Sequence, residues 1–178
     1  AVSNSAAVGN FDLTVKELAT AEKLATTGTT AADGTLGDAW NGGAAFSGTL
    51  EIGLDGGPAA SIDIDDSMTI YELRDRINGA SGTTDVRASV LKVADNDFRL
   101  VMTAEETGKA ITVNDASGIA GGFPTTQLQA AQPAIFEVDE EGNPVLLGDG
   151  GGYGTFMFID RKANLVGAYF TQSRARPN

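Results

Sequence analysis

The sequence predicts a mainly β fold of the β-rich α+β class, with antiparallel sheets, one short helix and a C-terminal hairpin. The chain has 178 residues, of which 42% are hydrophobic, and this is enough for a globular core. Its 23 glycines occur among many Ser, Thr, Asp and Asn residues, a composition typical of frequent tight turns. Several short segments alternate apolar and polar residues, which is the two-residue period of half-buried strands.

The N-terminal segment begins with a strand pattern and then becomes ambiguous. Phe11, Leu13 and Val15 alternate with polar residues, as in a half-buried strand. Residues 17–25 are good helix formers, and the sequence alone leaves helix and strand open. Residues 26–43 are rich in Gly, Thr and Asp and predict a long loop.

A β-hairpin is predicted over residues 49–64. The Asp-Gly-Gly sequence at 55–57 suits a tight turn that requires positive φ. The apolar residues of each strand share one face, and they are Leu50, Ile52 and Leu54, followed by Ala60, Ile62 and Ile64.

The helix is predicted to begin after Thr69. Thr69 and Glu72 match a capping box, in which each side chain satisfies the other residue's backbone N–H. Asn78-Gly79 supplies a C-terminal stop. The apolar stripe has helical spacing and consists of Ile70, Leu73 and Ile77.

Alternating segments at 86–93 and 98–103, joined by a turn at 94–97, predict two further strands. Shorter strands are predicted at 111–113 and 135–138, so residues 48–113 form a ββαβββ unit. We expect the helix to pack on one sheet built from the strands at 49–54, 60–64, 86–93 and 98–103.

Residues 48–108 resemble the flagellin hook IN motif, which is named for an Ile-Asn pair, here Ile77-Asn78. The segments that carry the resemblance are 48–50, 61–64, 73–78, 86–90, 98–103 and 106–108. Residues 11–25 and 128–139 resemble the segments that open and close the head of the filament-cap family, flagellar hook-associated protein 2. The resemblance implies a cap-head β domain at 1–47 and 114–139, the IN-motif unit at 48–113, and a C-terminal hairpin of uncertain origin at 140–178.

The same resemblance implies a structural, non-enzymatic function. The chain would be the head of an extracellular flagellar cap subunit, and the coiled-coil legs of that family lie outside it. Its expected partners are further copies of itself and flagellin, with host surface glycans or mucin as an additional partner. No cofactor and no metal are expected.

The C-terminal segment supports a different alternative. Residues 148–172 are similar to the C-terminal hairpin of serine β-lactamase-like esterases, which would make the chain a hydrolase fragment. A Ser-x-x-Lys sequence occurs at Ser89–Lys92, but residues three apart in a strand point to opposite faces. The third hydrolase box should lie near 149–151, where the sequence reads Asp-Gly-Gly. We expect this hairpin to pair with an edge of the head sheet.

Composition excludes several classes of function. The net charge is −12, which disfavours nucleic acid and anionic lipid as partners. The chain has no Cys and no His, so thiolate catalysis and histidine general bases are absent. No apolar stretch approaches the ~20 residues of a membrane span, so membrane insertion is not expected.

Two groups of residues remain as candidate sites. Acidic clusters at 63–66, 95–97 and 137–141 suggest calcium, but the first two lack EF-hand spacing, and we interpret all three as solvated surface. The loop at 35–46, with Trp40 and Phe46, is a candidate interaction loop for an adhesin-like module or a subunit contact. The alternative is that Trp40 is a buried anchor for this loop.

Overall fold

The computed structural model describes the backbone of residues 12–140, 143–145, 155–160 and 165–170 and the side chains of residues 14–135. It divides into two compact units, one of Ala1–Ala19 with Pro133–Asn178 and the other of Thr20–Gln132. The predicted boundaries at 47/48 and 113/114 fall inside the second unit. Strand pairing between residues 21–26 and 97–107 places the N-terminal part of that unit in the same sheet as the IN-motif strands at 86–94 and 97–107.

The first unit contains a three-stranded antiparallel sheet in the order β1-β9-β10. β1 (Asp12–Glu17) and β9 (Ile135–Glu140) confirm the two strands predicted near the ends of the cap-like region. β10 (Asn143–Val145) pairs with the other side of β9. This sheet therefore joins segments that are more than 100 residues apart in sequence.

The predicted C-terminal hairpin is confirmed as β11 (Thr155–Asp160) and β12 (Leu165–Phe170), paired antiparallel. Within the part of the chain that the structure describes, these strands pair only with each other. The expectation that they extend the head sheet is therefore wrong. The two strands form a sheet of their own.

The second unit contains two antiparallel sheets, ordered β4-β3-β7 and β5-β6-β2-β8. Its elements are β2 (Ala21–Thr26), α1 (Leu36–Trp40), β3 (Ser47–Leu54), β4 (Ala59–Asp65), α2 (Ile70–Gly79), α3 (Ser81–Thr84), β5 (Val86–Ala94), β6 (Asp97–Thr107), β7 (Ile111–Ala116) and β8 (Thr125–Gln129). The mainly β fold and the ββαβββ order are confirmed, with one addition, the short helix α3 between α2 and β5. The prediction of a single sheet under the helix is wrong. β3 pairs with β7 on its second edge, and β5 and β6 belong to another sheet.

The ambiguous segment at 17–25 is a strand over most of its length. β2 pairs with β6 on one side and with β8 on the other, so it is a central strand with Ala25 and Thr26 buried. Backbone pairing on both edges outweighs the weak helix preference of its residues.

The predicted loop at 26–43 contains a short helix, α1. Thr35 caps it, because its hydroxyl accepts a hydrogen bond from the Asp38 N–H at 3.3 Å. The local signal for this helix is weak because it has only five residues, and tertiary packing of Leu36 and Trp40 stabilises it.

One hydrophobic core is formed by α2 and residues from both sheets of the second unit. The capping box is confirmed, with the Thr69 N–H donating to Glu72 Oε2 at 2.7 Å and the Glu72 N–H donating to Thr69 Oγ1 at 3.3 Å. The predicted stripe of Ile70, Leu73 and Ile77 is fully buried. No helix among the described residues is long and apolar enough to cross a membrane.

Candidate functional site

Asn78, in the last turn of α2, bonds to the backbone of β5. Its Nδ2 donates to the Ala88 carbonyl at 2.9 Å, and its Oδ1 accepts from the Ala88 N–H at 2.8 Å. β5 is an edge strand, and Ala88 is only 8% exposed. A side-chain amide presents an N–H donor beside a C=O acceptor. The Asn78 amide therefore satisfies both the C=O and the N–H of Ala88, as the backbone of a neighbouring strand would.

The Ile-Asn pair thus attaches the end of α2 in two ways. Ile77 is buried in the core, and Asn78 is hydrogen-bonded at the sheet edge ten residues further along the chain. The structure brings together all four predicted motif residues, Ile70, Leu73, Ile77 and Asn78, on this helix. They hold the helix on the core, and the described contacts give them no outward-facing role.

Two further edge strands are closed in a similar way. Arg76 Nη1 donates to the Asp63 carbonyl of β4 at 2.8 Å. The Ile111 N–H of β7 donates to the Glu22 carboxylate, whose other oxygen accepts from the Gln127 amide. Both β4 and β7 are edge strands of the three-stranded sheet.

Glu22 is a further buried residue, which the sequence does not single out, and it is 4% exposed. It lies on β2, so its carboxylate joins the four-stranded sheet to β7 of the three-stranded sheet. A buried carboxylate needs such donors because an unsatisfied one is costly. The only signal in the sequence is a charged residue among Ala21, Leu24 and Ala25, which does not identify a partner 89 residues away.

The candidate interaction loop is fixed by the two aromatic side chains proposed for it. Trp40 is 9% exposed, its Nε1–H donates to the Thr27 carbonyl at 3.3 Å, and its ring meets Phe123 edge-on with centroids 5.5 Å apart. Phe46 is also buried in the core. Of the two interpretations of Trp40, the structure supports the buried anchor. Contact by the exposed backbone and small residues of this loop stays a prediction.

Polar contacts hold the neighbouring loop at 117–123. The Ala120 N–H donates to Asn41 Oδ1 at 2.9 Å, and Asp115 accepts from the N–H groups of Ser117 at 2.8 Å and Phe123 at 2.6 Å. Partial burial alone would raise the pKa of Asp115. The hydrogen bonds from Ser117 and Phe123 outweigh that burial and lower the pKa below its ordinary value.

The acidic clusters have local partners. Asp65 accepts from the Ser67 hydroxyl, which is the main cause of its lowered pKa. The pKa of Asp97 is lowered mainly by hydrogen bonds from Arg99. Among the described residues, no three acidic side chains are placed to share a metal ion, and the side chains of 137–141 lie outside that set.

The Ser-x-x-Lys sequence lies on β5, as its periodicity predicted. Ser89 and Lys92 therefore project from opposite faces of the strand, and Lys92 Nζ pairs with Asp95 at 2.8 Å. The Lys92 amine is therefore held away from the Ser89 hydroxyl. Residues 149–151 of the third hydrolase box lie outside the described residues.

Comparison with known proteins supports the IN-motif assignment. The flagellin hook IN motif family matches residues 49–106, which confirms the resemblance found in the sequence. No curated protein sequence matches the chain.

Solved structures of flagellar cap proteins share the fold. The D2-D3 domains of the flagellar cap protein FliD from Escherichia coli are 22% identical, with a TM-score of 0.62 over 99% of this chain and 89% of that chain. The D2-D3 domains of FliD from Serratia marcescens are 23% identical, with a TM-score of 0.60 over 99% and 93%. FliD from Pseudomonas aeruginosa is 20% identical, with a TM-score of 0.58 over 99% and 84%.

These matches extend over nearly the whole chain, including the segment compared with serine hydrolases, and none of them supports the hydrolase resemblance. Residues 49–106 therefore match the flagellin hook IN motif, and the chain has the fold of the D2-D3 domains of flagellar cap proteins.

Proposed function

We propose that this chain is the head region of a flagellar filament cap subunit, which acts outside the cell at the filament tip. It would self-associate with further copies and contact flagellin during filament growth. The observation that carries this proposal is the cap-protein fold over 99% of the chain, with an IN motif at residues 49–106 inside it. Fold likeness alone permits other functions, and the motif inside that fold favours this one.

The contacts of the second unit suit a structural role. Side chains occupy part of the free edge of three strands, and α2 and both sheets share one core. Closed edges limit unwanted strand pairing between copies, which a protein that works at high local concentration requires. The charge of −12 also favours solubility over non-specific association.

The test is a domain replacement in a motile bacterium. The D2-D3 region of its own cap protein is replaced by this chain, and filament length and the amount of flagellin lost to the medium are measured. We expect filaments longer than those of a matched strain that carries an unrelated β-rich domain of equal size. Export and stable accumulation of both chimeras are checked by immunoblotting. Short filaments and full loss of flagellin from a stably exported chimera would contradict the proposal.

The hydrolase alternative predicts catalysis, so it can be tested separately. The separation of Ser89 and Lys92 on opposite faces of β5 supports a non-enzymatic protein. We expect no turnover of a chromogenic ester or a β-lactam by the purified chain. Turnover that disappears in Ser89→Ala would favour the hydrolase.

Binding of host surface glycans or mucin is part of the proposal only through the family resemblance. The exposed residues of the loop at 35–46 are its candidate surface. Glycan-array binding by the chain, reduced by substitutions at Gly42 and Ala45 and unaffected by substitution of exposed Leu91, would support this finer proposal. An empty array would remove it without affecting the structural role.

A further inference from the structure

We propose that Asn41 is a site of spontaneous deamidation in the folded protein, and that the fold protects Asn78 from the same reaction. Each of these asparagines is followed by a glycine, in the pairs Asn41-Gly42 and Asn78-Gly79. The structure places the two pairs in different surroundings, and this difference carries the inference. It goes beyond the proposed function and does not depend on it.

The reaction needs only the two residues of the pair and water. The backbone nitrogen of the glycine loses its proton and attacks Cγ of the asparagine. A new C–N bond closes a five-membered succinimide ring, and Nδ2 takes up a proton and leaves as ammonia. Water then opens the ring at either of its two carbonyls, which gives aspartate or isoaspartate. Glycine favours the attack because no Cβ crowds its nitrogen.

The attacking nitrogen at Asn41 is accessible. Gly42 is exposed, and a Cβ built on it would meet nothing within 4 Å. Within the part of the chain that the structure describes, the Gly42 N–H makes no hydrogen bond. No bond therefore has to break before this nitrogen loses its proton.

The turn that holds Asn41 has to open before the ring can close. Asn41 has ψ 17°, which turns the Gly42 nitrogen away from the Asn41 side chain. The Asn41 amide donates to the Ala44 carbonyl at 2.9 Å and accepts from the Ala120 N–H at 2.9 Å, and both bonds are exposed. Residues 42–45 are exposed as well. Opening of this turn thus breaks exposed hydrogen bonds and requires no core residue to move, so its free energy lies at the low end of local openings.

Asn78 is held by the core. Its amide makes both of its bonds to the backbone of buried Ala88, at 2.8 and 2.9 Å. Gly79 belongs to α2, so its N–H lies in the helical hydrogen-bonding pattern. Ring closure here requires the last turn of α2 to leave the core in which Ile77 is buried. Such an opening costs a large part of the free energy of unfolding.

The product changes the candidate interaction loop at 35–46. Aspartate at position 41 can still accept from the Ala120 N–H, but it has no proton to donate to the Ala44 carbonyl. Isoaspartate adds a methylene to the backbone directly after Trp40. Either product adds a negative charge to a chain that carries −12. Because the reaction needs no enzyme, the charge and the shape of this loop change with the age of the molecule.

The first test is peptide mapping of the purified chain after storage in mildly alkaline buffer, which favours loss of the glycine proton. Mass spectrometry measures the converted fraction at each asparagine, and electron-transfer fragmentation distinguishes aspartate from isoaspartate. We expect Asn41 to react about tenfold or more faster than Asn78, which corresponds to a difference of at least ~1.4 kcal/mol in the free energy of opening. In guanidinium chloride, where both pairs are unfolded, their rates should be similar.

The second test uses variants. Thr69→Ala removes the cap of α2 and should speed the reaction at Asn78 several-fold without changing the rate at Asn41, because only the opening of α2 becomes easier. Asn41→Asp should elute in ion-exchange chromatography with the aspartate form of the aged wild type. Asn41→Gln should not form this species on storage, because its longer side chain disfavours the five-membered ring. Circular dichroism verifies that the variants are folded.

Two results on the wild type would overturn the inference, and neither requires a variant to fold. One is equal rates at Asn41 and Asn78 in the folded chain, which would show that the turn at Asn41 opens only when the core does. The other is an intact Asn41 after a period in which the unfolded chain is fully converted at that position.

Discussion

Replacing Asn78 by Ala should destabilise the second unit by about 2–4 kcal/mol. The substitution removes hydrogen bonds of 2.8 and 2.9 Å to the N–H and C=O of Ala88. Each hydrogen bond contributes a net ~0.5–1.5 kcal/mol, and each buried polar group left without a partner costs ~1–3 kcal/mol. Loss of two such bonds would cost about 1–3 kcal/mol if water replaced them, and two groups left without partners would cost about 2–6 kcal/mol. Ala88 is buried on an edge strand, so partial access of water places the expected loss between these two limits.

Urea unfolding followed by Trp40 fluorescence measures this loss. Trp40 is the single tryptophan and is buried in the second unit, so its signal reports that unit. The matched control is Asn114→Ala, because the Asn114 amide makes one exposed hydrogen bond to Glu51 at 3.2 Å and should cost less than ~0.5 kcal/mol. If Asn78→Ala costs no more than this control, the Asn78 amide does not stabilise the edge of β5.

A second substitution at the same position separates the donor from the acceptor. In Asn78→Asp the carboxylate can still accept from the Ala88 N–H, but it faces the Ala88 carbonyl without a proton to donate. A protonated carboxyl restores that donor, so the fold favours the protonated form and raises the pKa of the new group. The stability from this bond is fully present below the unfolded pKa of ~3.9 and is lost as pH rises through the folded pKa. The difference in unfolding free energy between Asn78→Asp and the wild type should therefore narrow as pH falls from neutral towards ~4; a constant difference would contradict this account.

Three further predictions use the same unfolding assay. Ile77→Ala should cost about 2–5 kcal/mol, because it leaves a cavity in the core; a loss below ~0.5 kcal/mol would show that Ile77 is not core. Thr69→Ala removes the cap of α2 and should cost about 1 kcal/mol, whereas Thr69→Ser should restore most of it, and equal stability of the two variants would argue against the cap. The fold lowers the pKa of Asp115, so the ionised carboxylate stabilises the folded state at pH values above its ordinary pKa of 3.8. This stabilisation is lost as the pH falls below that value. Asp115→Asn should show a smaller loss of stability below that pH, and an unchanged acid dependence would show that its hydrogen bonds do not favour the charged form.

The parts of the fold that the sequence predicts are those determined by neighbouring residues. The β3–β4 hairpin follows from two alternating strands and a glycine turn with Gly56 at φ 70°. α2 follows from its capping box and apolar stripe. In each case the interacting residues lie within about one hairpin or a few helical turns of each other, so their spacing carries the information.

The parts of the fold that the sequence does not predict depend on distant partners. β2 contains helix formers but is paired on both edges, and polar β8 becomes a strand because β2 supplies its backbone partners. The division into two sheets depends on β7 pairing with β3, some 60 residues earlier. Strand propensity reflects such surroundings more than the residue itself.

In the candidate site, too, the features set by neighbouring residues could be predicted, and those set by distant partners could not. Ile77 is predicted as core from its spacing with Ile70 and Leu73, and the structure agrees. The partner of Asn78 could not be predicted, because a helix-terminating Asn-Gly explains the residue without any bond to β5. The exposed aromatic contact suggested for Trp40 is replaced by burial, since a Thr27 carbonyl and the Phe123 ring are available to it only in the folded unit.

The last turn of α2, which bears both Arg76 and Asn78, has a consequence for partly unfolded molecules. Arg76 bonds to β4 and Asn78 to β5, which belong to different sheets. If α2 detached while the sheets stayed intact, it would uncover the core and release one edge of each sheet in the same event. Such an intermediate would have two open templates for strand addition, so we expect opening of this helix to expose the protein to aggregation.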